Sequence, residues 1–110
     1  MRNAKKEFLE TLTRLRVSKV KCVDIRRDVS SYDIDGDILH YRLKMNYTDE
    51  EYQTFLNSLD FNYDGGYGTQ ELYGAIWLEN GTWLDRSEYD GSEWWEYHVL
   101  PQVPDYLVKD

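Results

Sequence analysis

Two dipeptides, Asn80-Gly81 and Asp90-Gly91, constrain this chain more than any other feature of it. Each sits between runs rich in aromatic and β-branched residues. Asn-Gly and Asp-Gly accept the positive φ angles of a type I′ turn, whose twist matches that of the strands it joins. Residues 72–79, 82–89 and 92–100 therefore read as a three-stranded antiparallel meander. With two-residue turns, Glu79 faces Thr82, Leu78 faces Trp83, Trp77 faces Leu84 and Ile76 faces Asp85. Across the second turn Glu88 faces Glu93, Ser87 faces Trp94 and Arg86 faces Trp95. Alternation of side chains then puts Tyr73, Trp77, Leu84, Arg86, Trp95, Tyr97 and Val99 on one face. Leu72, Ile76, Leu78, Trp83, Trp94, Glu96 and His98 fall on the other. A Glu88–Glu93 pair is repulsive, so either Arg86 bridges the two carboxylates or the second turn is longer, which moves Trp94 and Trp95 between faces.

The upstream elements follow from periodicity. Phe8, Leu9, Leu12 and Leu15 form an apolar stripe that predicts a helix over residues 4–18, with Asn3 as its N-cap. From Val20 the period changes to that of a strand, and residues 38–47 read as its antiparallel partner across a loop whose tightest turn is Asp35-Gly36. Thr48-Asp49-Glu50-Glu51 is a capping box ahead of a helix with Tyr52, Phe55, Leu56 and Leu59 on one face, ending near Asp60. Residues 62–68 form a glycine-rich loop. Pro101 and Pro104 end the meander, and Asp105, Tyr106 and Leu107 form a tail expected to fold back. The expected fold is a single α+β domain over residues 1–110, in the order α-β-β-α-β-β-β, with an antiparallel sheet and both helices packed on one face.

At 41% hydrophobic and 15% aromatic residues, the chain has enough apolar content to fold despite 31% charged residues. Its net charge of −8 is unevenly spread: residues 1–45 carry about +4 and residues 46–110 about −12. An acidic second half disfavours nucleic acid, whose phosphates must meet Lys and Arg. No run approaches a membrane span or a signal peptide, which points away from the membrane. A lone Cys22 fits a reducing cytoplasm.

Motifs for chemistry fail on counting. Counted from Asp33, the calcium-like stretch Asp33-Ile34-Asp35-Gly36-Asp37 places its glycine at position four and Lys44 at position twelve. His40, His98 and Cys22 are scattered rather than clustered as zinc ligands. A Cys22–His40 nucleophilic pair and a glycosidase pair drawn from Asp85, Glu88, Glu93 and Glu96 are weaker readings than strand packing and acid-rich hairpins. No phosphate loop or cofactor fingerprint is present, so the expectation is a non-enzymatic protein without a cofactor.

The meander holds more aromatic surface than two short helices can cover. Strand aromatics are core residues first, and Trp77 and Trp95 read that way more strongly than Trp83 and Trp94. Tyrosine and tryptophan fringed by carboxylates describe a protein-binding patch. The residues expected to form it are Trp83, Asp85, Glu88, Tyr89, Asp90, Glu93, Trp94 and Glu96. The partner expected for it is a protein with a basic surface, or a second copy of the chain. A small-ligand module using the loop near Tyr63–Tyr67 as a lid, over a pocket with His98 or Cys22, is a further reading.

Gly68-Thr69-Gln70-Glu71-Leu72-Tyr73-Gly74, Asn80-Gly81-Thr82-Trp83-Leu84, the run from Glu88 to His98 (Glu-Tyr-Asp-Gly-Ser-Glu-Trp-Trp-Glu-Tyr-His), Pro101 and Pro104 make residues 66–106 resemble a group of small acidic proteins of bacteriophages and related mobile elements. The resemblance carries no activity. It implies expression in the cytoplasm of a bacterial host, where small acidic phage proteins act on host machinery, among them inhibitors of restriction and CRISPR systems.

Overall fold

Both helices begin where their caps place them. In the computed structural model, which describes residues 1–29, 38–64, 69–79 and 81–108, helix α1 spans Ala4–Arg14 and helix α2 spans Asp49–Ser58. The Asn3 side chain accepts from the Lys6 amide at 2.9 Å. Thr48 and Glu51 exchange both bonds of the capping box. Helix α1 stops short of the residue 18 that its stripe predicts. Arg16 takes a left-handed φ of 58°, and the Val17 amide turns back onto the Leu12 carbonyl at 2.9 Å.

Two short strands not expected from the sequence, β1 (Arg2–Asn3) and β4 (Asn62–Tyr63), pair antiparallel and tie the start of α1 to the end of α2. The main sheet contains β2 (Cys22–Asp28), β3 (Ile38–Leu43), β5 (Leu72–Trp77), β6 (Thr82–Tyr89) and β7 (Ser92–Val99). It is antiparallel throughout, in the order β3-β2-β5-β6-β7. The class is α+β, as the sequence predicts. The Asp35-Gly36 turn and the glycines of the 62–68 loop lie outside the described residues, as does Asn80.

The second hairpin has the expected register, with Asp90 at φ 53° and Gly91 at φ 84° between paired Tyr89 and Ser92. The first does not. Trp77 pairs with Trp83, Ile76 with Leu84 and Ala75 with Asp85, and the Leu78 amide bonds the Thr82 carbonyl at 3.0 Å. The link runs one residue longer than a two-residue turn, with Gly81 left-handed at φ 72°. Longer hairpin loops that end on a left-handed glycine are the next commonest solution. A shift of one residue swaps faces, so Leu72, Ile76 and Leu78 join Leu84 and Trp95, while Tyr73 and Trp77 join Trp83 and Trp94.

That exchange sorts the sheet. On the inner face Val23, Ile25, Leu43, Leu72, Ile76, Leu84 and Trp95 pack with Phe8 and Leu12 of α1 and Phe55 and Leu56 of α2. Phe8 meets Phe55 edge-on at 5.6 Å. Beside Ile25, Gly74 sits at φ +125°, and a Cβ there would lie 2.0 Å from the Asp24 carbonyl oxygen. No side chain fits, and the close approach of β2 and β5 depends on the glycine. The segment after Val99 does not fold back: residues 100–108 stay exposed, Tyr106 at 84%. Among the described residues no helix is long and apolar enough to cross a membrane.

One inner-face cluster is ionic. The Arg86 side chain, fully covered, reaches Glu93 Oε1 at 2.9 Å, Glu7 Oε1 at 3.0 Å and the Tyr63 hydroxyl at 2.6 Å. The Tyr63 hydroxyl donates to Glu7. The Glu93 carboxylate, also at 0% exposure, accepts the amides of Glu71 at 2.8 Å and Leu72 at 3.1 Å. Arg2 donates to the Glu93 carbonyl at 2.6 Å and to Glu7 at 3.2 Å. The expected Arg86 bridge therefore serves Glu93, while Glu88 accepts from the Gly91 amide at 3.3 Å. This placement also corrects the expected surface patch. Glu93 is inside the protein, because the second turn puts it beside Arg86 on the face that the helices cover.

Removing one member of a buried pair strands the other's charge at a cost of about 3–5 kcal/mol. Glu93→Gln and Arg86→Met are each expected to lower stability by about that much. Urea unfolding of Arg86→Met/Glu93→Met should show a loss smaller than the sum of the single changes. Burial pushes the Tyr63 phenol well above its ordinary value; Arg86 pulls against this and Glu7 reinforces it. The unfolded chain releases this proton near pH 10, whereas the folded chain holds it to higher pH. The stabilisation is thus complete below about pH 10 and declines above it. Tyr63→Phe should flatten the alkaline fall in unfolding free energy, leaving the slope from Tyr47, Tyr52 and Tyr73, whose phenols burial also raises.

Candidate functional site

The helices leave the other face of the sheet open. Among the described residues, none of its side chains on β2, β3, β5, β6 and β7 is buried. Pairing arranges them in rows across the strands. Cys22, Trp77, Trp83 and His98 form one row. Arg42, Asp24, Ala75, Asp85 and Glu96 form the next, followed by His40, Arg26 and Tyr73 on one side and Ser87 and Trp94 on the other. Trp77 is 42% exposed, Trp94 is 36% exposed and Trp83 is partly exposed.

Local contacts hold these side chains in place. The Trp83 ring stacks on the His98 imidazole at 5.4 Å and 20°. His98 Nε2 lies 2.8 Å from Asp85 Oδ1. Trp94 Nε1 donates to the Glu96 carboxylate. On the opposite side Arg42 Nε donates to Asp24 at 3.3 Å, and the Arg26 guanidinium lies over the Tyr73 ring at 4.8 Å. Between these cations and Trp77 lies a shallow groove of about 210 Å³, floored by Gly74 and Ala75.

Four of the eight predicted patch residues, Trp83, Asp85, Trp94 and Glu96, meet on this face. Tyr89 stands at its end, highly exposed, and Glu88 and Asp90 are exposed at the adjoining turn. Glu93 does not belong to it. The eight residues expected for the patch leave out Trp77, Tyr73, Arg26, Arg42 and His40. The first-hairpin register had hidden Trp77 and Tyr73. The available signal was the match of aliphatic Leu72, Ile76 and Leu78 to Leu84, which groups like with like only in the longer-turn register. The face has both signs of charge: Arg26 and Arg42 lie with Asp24 and Asp28 over β2 and β3, and Asp85 and Glu96 lie over β6 and β7.

The other chemical readings are separated in space. His40 pairs with Arg26, while Cys22 lies on the row of Trp77, four positions along β2. Asp85 and Glu96 are direct cross-strand partners, but one is engaged by His98 and the other by Trp94. Tyr63, expected at the edge of a lid, is a core residue. Among the described residues no group of three or more His, Cys, Asp and Glu side chains is placed to hold a metal ion. The larger concavities lie elsewhere, one of about 560 Å³ along the outer side of α1 and one of about 480 Å³ between α1 and β7.

No protein-family model, curated protein or solved structure matches this chain.

Truncating Trp95, which is 5% exposed, should cost about 3–5 kcal/mol of unfolding free energy. Trp94→Ala, its neighbour on the open face, should cost under about 1 kcal/mol. Chemical denaturation of the two variants checks the assignment of faces.

Proposed function

We propose that this chain is a non-enzymatic binding domain whose open sheet face docks a protein. The observation that carries the reading is an uncovered sheet face with three indoles, two of them held by side chains beside them. Exposed aromatics of this kind are rare on surfaces without a partner and frequent at the centres of interfaces. Trp77, Trp83 and Trp94 supply the apolar contact. Asp85 and Glu96, with Glu88, Tyr89 and Asp90 at the nearby turn, offer carboxylates and a ring to cationic side chains of the partner. The net charge of −8 speeds encounter with a basic surface. The resemblance of residues 66–106 to small phage proteins supports a bacterial host protein as that partner, with inhibition as the outcome.

Affinity capture from bacterial lysate, at low and high salt, tests this. The wild-type domain is expected to retain a basic protein at low salt. Trp83→Ala/Trp94→Ala should retain at least tenfold less, and Asp85→Lys/Glu96→Lys should lose the salt-sensitive part. Equal retention by all three proteins overturns the reading.

A further inference from the structure

The polarity of the open face has a consequence for self-association. Its cations, Arg26 and Arg42 with His40 beside them, lie on β2 and β3; Asp85 and Glu96 lie on β6 and β7. Two carboxylates share the β2–β3 half: Asp24, engaged by Arg42, and Asp28 at the end of β2. Arg26 rests on the Tyr73 ring, and its guanidinium N–H groups make no hydrogen bond within the described structure. A planar guanidinium held flat with its donors unspent is suited to a carboxylate from outside. Strand β5 divides the two halves and presents the small Ala75 at the middle of the face.

We infer that a second copy of the chain covers this face, in a two-fold sandwich whose axis runs along β5. This rests on the face being a contact surface, as proposed above; the second copy and a host protein compete for it. Two in-plane axes could bring the faces of identical sheets together. An axis across the strands sets β2 on β2 and β6 on β6, placing cations on cations. An axis along β5 sets β2 and β3 of one copy over β6 and β7 of the other, so Arg26 and Arg42 of each copy meet Asp85 and Glu96 of the other. Only the second arrangement is electrostatically self-complementary, as an isologous contact must be.

Size agrees with this. Five strands at about 4.8 Å spacing and about seven residues long make a face of roughly 24 by 23 Å before side chains roughen it. That is on the scale of the roughly 800 Å² per partner of a standard interface. Sheets that pack face to face lie about 10 Å apart, a gap that interdigitating indoles fill. On the axis, Ala75 faces its own copy and Trp77 lies close to its own copy.

Charge exchange tests the arrangement. In sedimentation equilibrium over a concentration series, the wild-type chain is expected at twice its monomer mass. Arg26→Glu/Arg42→Glu and Asp85→Lys/Glu96→Lys should each sediment as monomers with unchanged circular dichroism. Their equimolar mixture should recover the doubled mass. Ala75→Cys in a Cys22→Ala background should be cross-linked by a bis-maleimide able to span the roughly 10 Å between packed sheets, which reports the axis without altering any charge. A monomeric wild type overturns the inference, as does a dimer that both charge variants retain or an Ala75→Cys chain that the bis-maleimide leaves uncross-linked. The lysate capture is read separately: a dimer that captures nothing removes the host partner and keeps this inference, and a monomer that captures a basic protein does the reverse.

Discussion

The Arg86–Glu93 pair decides which way the last hairpin is built. Trp94 and Trp95 are adjacent, so a slip of one residue would exchange one indole for another at the helix-covered face with little loss of apolar burial. Hydrophobic patterning alone is nearly indifferent between the two registers. The same slip would carry Glu93 out to the open face and leave the buried Arg86 guanidinium with Glu7 alone, a carboxylate it shares with Arg2 and Tyr63. A stranded buried charge costs several kcal/mol. The ion pair therefore supplies the discrimination that the neighbouring tryptophans remove, which is the best-attested use of a buried polar group.

The pair also joins distant parts of the chain. Glu7 comes from α1, Tyr63 from β4, and the amides of Glu71 and Leu72 from the entry to β5. Arg2 closes the cluster from β1 onto the backbone of β7. Elsewhere Arg27 of the basic N-terminal half meets Glu71 of the acidic C-terminal half at 3.6 Å. The acids that remain outside are concentrated at the capping box of α2, at the turn after β6 and on the β6–β7 side of the open face.

Much of the fold was legible because local signals agreed with tertiary needs. The caps at Asn3 and Thr48, the stripes of both helices and the Asp90-Gly91 turn each specify one outcome by short-range chemistry. The ribbon of β1 and β4 was not legible, since a pair of two-residue strands has no periodicity to read. Neither was the first link of the meander. Asn80-Gly81 supports a two-residue turn as well as a longer loop ending on a left-handed glycine, and Trp77-Leu78 and Trp83-Leu84 tolerate either face assignment. The choice is made by the covered core, where Leu72, Ile76, Leu78 and Leu84 fit together. That choice brought Tyr73 and Trp77 to the open face; of the eight residues expected there four lie on it, and the arginines over β2 and β3 were not among the eight.

The polar contacts on the open face do little for stability. His98–Asp85 and Arg42–Asp24 are pairs of half-exposed side chains, and such pairs contribute about 0–1 kcal/mol. Their effect is on conformational freedom. Trp83 is fixed by the imidazole stacked on it, and that imidazole is held by Asp85. Trp94 is fixed through its indole nitrogen by Glu96. Immobilising a rotamer-rich side chain at an interface costs about 0.5–1.5 kcal/mol, and here most of that cost is met on folding. An indole already fixed in one rotamer gives up little entropy on contact and loses mainly water. The carboxylates and aromatics interleaved in the last two strands are thus parts of one device: the acids restrain the rings, and the restrained rings are ready to be covered.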